Sequence, residues 1–170
     1  YSPLDRLRDQ IRLLKLFPKE GPMSPYHCDL EIFDLKAALP YTALSYAWGG
    51  TVQPIPLYTS DGCHNMIGQN LHDFLRHIAV DSFNIAGPWF WIDQVCIDQS
   101  NSHEKADQVS LMATIYQRCV SVITWLGCDL ETTQAAREFP ESRGPAKFKN
   151  LFTLLSNTYF SRLWIVQEML

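Results

Sequence analysis

The sequence predicts an α/β fold around a parallel core sheet, with an antiparallel β addition at its N-terminal end. Two observations carry that expectation. Residues 89–127 (WFWIDQVCIDQSNSHEKADQVSLMATIYQRCVSVITWLG) run as an apolar strand, a polar loop, an amphipathic helix and a second apolar strand, which is a βαβ unit. Upstream, YTALSYAW (41–48) reads as another strand, closed by Gly49-Gly50, and a helical pattern separates it from Trp89. Residues 41–127 are therefore expected to form a βαβαβ core within a single domain spanning 1–170. The β addition occupies 1–40, and a helical connection with a final helix occupies 128–170.

Each element has its own signal. IRLLKLF (11–17) mixes apolar and basic residues and stops at Pro18, as an edge or hairpin strand does. CDLEIFDL (28–35) sets Leu30 and Ile32 against Asp29, Glu31 and Asp34, which suits a partner strand. Between Gln53 and Ile67, two short apolar runs flank Asp61-Gly62, the pattern of a small hairpin. Asn70 is placed as an N-cap, with Leu71, Phe74, Leu75 and Ile78 on one face of a helix over 70–80. A strand is expected over 89–97.

Asn101 and Glu104 have the spacing of a capping box for the next helix, whose apolar stripe is Val109, Met112 and Tyr116. VSVITWL (120–126) is β-branched and buried in character, and it ends at Gly127. Short helices are expected near 131–139, over 148–155 and over 161–170. The last of these runs to Leu170 without a cap, the pattern of a piece of a longer protein.

Composition excludes several classes of function. A net charge of -4, a pI near 5.7 and no cluster of Lys or Arg argue against nucleic-acid binding. No apolar run approaches the ~20 residues that span a bilayer, so no membrane role is expected. The five cysteines are odd in number and lack CxxC spacing, which favours free thiols in a reducing compartment and a cytoplasmic location. His27-Cys28 and Cys63-His64 are too loosely spaced for a persuasive zinc site, and no metal is expected.

The blocks IRLLKLF, YTALSYAWGG, WFWIDQVCIDQ, EKADQVSLMATIYQRC, VITWLG and FSRLWIVQEML, in this order, resemble the fungal heterokaryon-incompatibility (HET) domain. That resemblance covers most of the chain and implies a cell-death effector in fungal allorecognition. A more distant resemblance is to Toll/interleukin-1 receptor (TIR) domains. ALSYAW matches their first strand, WIDQVCID their second and VITWLG their third, which implies a TIR-like or flavodoxin-like strand order. WIVQEML is similar to the TIR helix in which Trp, here Trp164, is followed four residues later by the Glu that cleaves NAD, here Glu168. The long connection between Gly127 and Ser161 departs from the TIR pattern. The resemblance implies NAD as a substrate rather than a stably bound cofactor. It also implies partners in the form of self-association, a signalling protein or a further domain of the same protein. The alternative it carries is a non-enzymatic module that triggers death by assembly.

Parallel sheets bind ligands at the carboxyl ends of their strands, so the candidate site residues are sought there. Glu168 lies among Leu163, Trp164, Ile165, Val166, Met169 and Leu170, and a carboxylate in such surroundings needs a partner or a cavity. A structural Glu bonded to Arg or backbone amides and a catalytic Glu both fit. A carboxylate suits NAD cleavage, because breaking the nicotinamide–ribose bond passes through an oxocarbenium-like state that a negative charge stabilises.

Asp93 sits inside an apolar run and requires a partner, for which Arg162 is a candidate. Asp98 and Gln99 fall beyond the strand end, where ligand contact and helix capping are both open. Ser45, Tyr46, Trp48 and Gly49 close the first parallel strand; the two aromatics suit stacking on a flat ring and suit the core equally well. Glu104 and Gln108 read as capping and surface residues, and Cys96 as a buried structural thiol.

Overall fold

A computed structural model describes residues 1–17, 27–49, 54–80 and 88–162. They build one seven-stranded mixed sheet with helices against it. The strands are β1 (Gln10–Leu16), β2 (His27–Asp34), β3 (Thr42–Tyr46), β4 (Ile55–Thr59), β5 (His64–Ile67), β6 (Trp89–Trp91) and β7 (Ser121–Trp125). Their order across the sheet is β5-β4-β2-β1-β6-β3-β7.

The parallel core is β6-β3-β7, with Thr42 opposite both Phe90 and Ser121, and Tyr46 opposite Trp125. Second, first and third strand thus lie side by side, as at the start of the flavodoxin-like order. The N-terminal β addition is the antiparallel pair β1 and β2, in register from Gln10–Asp34 to Leu16–Cys28. It joins the core where β1 pairs antiparallel with β6. The hairpin β4-β5 extends the other side through β2.

Strand β1 lies inside the sheet, between β2 and β6. Ile11, Leu13 and Leu14 are fully buried, because both faces of a central strand are covered. Helix α1 (Gln69–Val80) lays Leu71, Phe74 and Leu75 into the core, while α3 (Ser102–Arg118) contributes Met112, Ile115 and Tyr116. Tyr116 packs edge-on against Trp91 and donates its hydroxyl to the Leu44 carbonyl at 3.0 Å. Helices α4 (Leu130–Glu138) and α5 (Gly144–Leu155) form a hairpin after β7, and a 3-10 turn (Thr158–Ser161) follows.

Four expectations are corrected. The strand expected over 89–97 ends at Trp91, and the chain then forms a one-turn helix, α2 (Asp93–Cys96). Val95, Cys96 and Ile97 are buried all the same, because a non-alternating apolar run fits a buried turn as well as a strand. Among the described residues β7 is an edge strand rather than a buried one, with Ser121, Val122 and Thr124 exposed. Asn70 is not an N-cap, since α1 starts at Gln69. Its side chain reaches across to other elements instead.

Glu104 and Gln108 are not surface residues. Asn101 does cap α3 by accepting from the His103 and Glu104 amides, but the Glu104 carboxylate turns inward to Arg12. Gln108 is buried and donates to the Gln10 carbonyl. The expected last helix, with Trp164 and Glu168, lies outside the described residues.

Candidate functional site

The carboxyl ends of β3 and β6 bring most of the described candidates together. Strand β3 delivers Ser45 and Tyr46, and the loop after it delivers Trp48. The α2 turn, which follows β6 after the single residue Ile92, supplies Asp93 and Gln94. The Trp48 indole N–H donates to Asp93 Oδ2 at 2.8 Å, and the Tyr46 hydroxyl donates to Gln94 Oε1 at 2.9 Å. The Gln94 amide N–H caps Asp93 Oδ1 at 2.7 Å, and the Gln99 side-chain amide donates to the Asp93 carbonyl at 2.9 Å.

Burial pushes the Tyr46 phenol well above its ordinary pKa, and the Asp93 charge adds to that rise while Arg162 opposes it. Tyr46 is therefore a neutral donor at any physiological pH, with an anion and a cation both near its ring. The Arg162 guanidinium also stands 5.7 Å from the centre of the Tyr159 ring. Ser45 is buried, and its hydroxyl meets that of Tyr159 at 2.6 Å. Trp48 is 37% exposed, which leaves indole surface for a flat ring to stack on.

Asp98 takes no part in this cluster. Its carboxylate accepts from the Ser100 amide and hydroxyl, which hold it below its ordinary pKa and shape the turn before α3. Cys96 is fully buried, and burial pushes its thiol up to about 12, as befits a structural residue.

Asn70, Gly127 and Asn157, which local pattern did not offer as site residues, lie at the same strand ends as the candidate Gly49. Asn70 bridges the two strand ends on either side of the point where the sheet order reverses. It donates to the Ala47 carbonyl at 2.6 Å and accepts from the Trp125 indole at 2.8 Å. Gly49 (φ 72°) and Gly127 (φ 97°) turn the chain sharply on either side of it, in conformations that favour glycine. Asn157 ties the loop after β7 to α4 through the Leu126 carbonyl and Thr132. A signal for Asn70 existed: its neighbours Leu71, Phe74 and Leu75 define an inward helical face, and Asn70 lies beside it.

A cleft of about 400 Å³ opens elsewhere, between the N-terminal segment and the start of α3, lined by Leu4, Asp9, His103 and Asp107 among others. None of the described candidates lines it, and its Glu104 and Asp107 are paired with Arg12 and Arg6. Among the described residues, no group of three or more His, Cys, Asp or Glu is placed to hold a metal ion, and no helix is long and apolar enough to cross a membrane.

Comparison with known proteins decides the family. The family model of the heterokaryon incompatibility protein (HET) matches residues 41–168, from β3 to the segment beyond Arg162. The chain belongs to the HET family. The HET chain is 29% identical over 126 residues to heterokaryon incompatibility protein 6, OR allele, of Neurospora crassa, a match covering 69% of this chain and 18% of that protein. It is 24% identical over 132 residues to vegetative incompatibility protein HET-E-1 of Podospora anserina, covering 77% of this chain and 9% of that protein. The HET chain thus spans less than a fifth of either relative. No solved structure matches it significantly. The matched region begins at β3, so the whole parallel core lies inside it, and β1 and β2 lie before it.

Proposed function

We propose that this HET domain is a cytoplasmic cell-death effector of fungal incompatibility that acts by binding and hydrolysing NAD. The names of its relatives support the biological role. One observation supports the chemistry: Tyr46, Trp48, Asp93, Gln99 and Arg162 converge at the carboxyl ends of parallel strands, where such sheets take nucleotides. In this reading Trp48 stacks on a ring of the dinucleotide and Arg162 faces its phosphates. Glu168, six residues after Arg162, is the catalytic carboxylate that stabilises the oxocarbenium-like ribose. The leaving nicotinamide nitrogen is already cationic, so no separate acid is required.

Purified wild type and Glu168→Ala, incubated with NAD, test the assignment by release of nicotinamide. The reading requires release by wild type and its loss in the variant. Equal release by both would remove Glu168 from the mechanism.

A second reading, death signalling by self-assembly without catalysis, is favoured by a different observation. Helix α5 exposes Phe148 (76%) and Phe152 (73%), four residues apart on one face, as a surface for association. Sedimentation of wild type against a Phe148→Ser, Phe152→Ser variant separates the readings. Assembly that depends on these residues, with no nicotinamide released, would favour the second.

A further inference from the structure

Arg12 and Glu104 form a buried ion pair between the N-terminal β addition and the first turn of α3. Arg12 is 2% exposed and the Glu104 side chain 8%. The contact is bidentate, with N–O distances of 2.5 and 2.9 Å. The two side chains are 92 residues apart in sequence, and neither touches the candidate site. Both instead hold the backbone that carries it.

Arg12 Nη1 also donates to the Cys96 carbonyl at 3.1 Å, while Glu104 Oε1 accepts from the Asp98 amide at 2.7 Å. Tyr1 adds a third grip. The Tyr1 ring lies 4.8 Å from the Arg12 guanidinium carbon, and its hydroxyl donates to the Val95 carbonyl at 3.0 Å. Three backbone groups of the segment from Asp93 to Gln99 are thus held from one side. From the other side, the same segment offers the Asp93 carboxylate to Trp48 and Gln94 to Tyr46.

We propose that Arg12 and Glu104 are positioning residues, a buried clamp that sets the α2 turn so that Asp93 and Gln94 meet Trp48 and Tyr46. This rests on the Trp48–Asp93 cluster being the functional site, as proposed above. Stability alone is a poor reason for such a pair, because apolar replacements of similar volume often serve as well or better. Two hydrogen bonds aimed at the backbone of one turn are what an apolar pair would not supply.

The test separates positioning from stability. The double variant Arg12→Met, Glu104→Leu keeps the volume and removes the grips on Cys96 and Asp98. The readout is the Trp48 indole N–H in a proton–nitrogen NMR spectrum, assigned with Trp48→Phe. The clamp requires a cooperatively folded double variant whose Trp48 indole signal moves and exchanges with solvent about tenfold faster or more. A folded variant with that signal and its exchange unchanged would overturn the role. Should the double variant fail to fold, Arg12→Lys, which keeps the charge but loses the forked geometry, decides by the same signal. The readout needs no NAD, so an unchanged indole would sink the clamp without touching the NAD reading. Absence of nicotinamide release would do the reverse.

Discussion

The indole N–H of Trp48 donates to the carboxylate of Asp93 at 2.8 Å, tying the loop after β3 to the turn after β6. These residues lie 45 positions apart in sequence, and only the parallel pairing of their strands makes them neighbours. The bond fixes the angle of a partly exposed ring beside an anion. That arrangement is the part of the account most open to mutation.

Trp48→Phe keeps an aromatic face and removes the donor. Urea unfolding should show a loss of about 1 kcal/mol, since the bond is exposed and water replaces it. Calorimetric titration should show NAD binding about tenfold weaker, because the ring is no longer held at one angle. Unchanged affinity would mean that Trp48 does not face the ligand.

Asn70→Ala should cost more than its partial exposure suggests. It leaves the Trp125 indole and the Ala47 carbonyl without their partner, at about 2–3 kcal/mol by urea unfolding. Asn70→Asp retains an acceptor for Trp125 but sets an oxygen against the Ala47 carbonyl, so it should rescue only part of the loss. Full rescue would mean that the bond to Ala47 contributes nothing.

Arg12→Ala strands a buried carboxylate and should destabilise by about 3–5 kcal/mol in the same assay, far more than the double replacement with Met and Leu. Additive single and double effects would contradict the pairing.

The pH dependence of stability follows from the same pair. Burial alone would raise the Glu104 carboxyl, but hydrogen bonds from Arg12 and the Asp98 amide, with the Arg12 charge, hold it below its ordinary value. A group depressed on folding contributes stability that is complete above its unfolded pKa of about 4.3 and is lost as pH falls through the lower folded value. Wild type should therefore lose stability on acidification below about pH 4.3 more steeply than Glu104→Gln. Parallel curves of unfolding free energy against pH would refute this.

The strand pair β1-β2, the core strands and the α3 helix were all legible from period and punctuation, because each is set by local pattern. What local pattern could not settle was the end of β6. In WFWIDQVCI, strand and buried turn demand the same apolar residues, and the fold decides between them. Glu104 was misread for a related reason. Its spacing from Asn101 suits a cap, while its partner is an arginine in the first strand, beyond any local window. An isolated Arg between Ile11 and Leu13 was the available clue, since a charge inside an apolar strand must be paired. The neighbourhood of Tyr46, Trp48, Asp93 and Gln99 was legible because the carboxyl ends of adjacent parallel strands lie side by side. Asn70 read only as a helix cap although it lies beside an inward helical face, and Tyr159 has a partner that comes only from tertiary structure.

The most direct measurement is the rate of nicotinamide release from NAD by the purified domain, compared between wild type and Glu168→Gln at matched thermal stability. Measurable turnover is expected in wild type, with a fall of at least about a hundredfold in the variant, because a group stabilising the transition state loses its charge. Equal rates in the two proteins, or no release by a folded wild type that binds NAD, would contradict it.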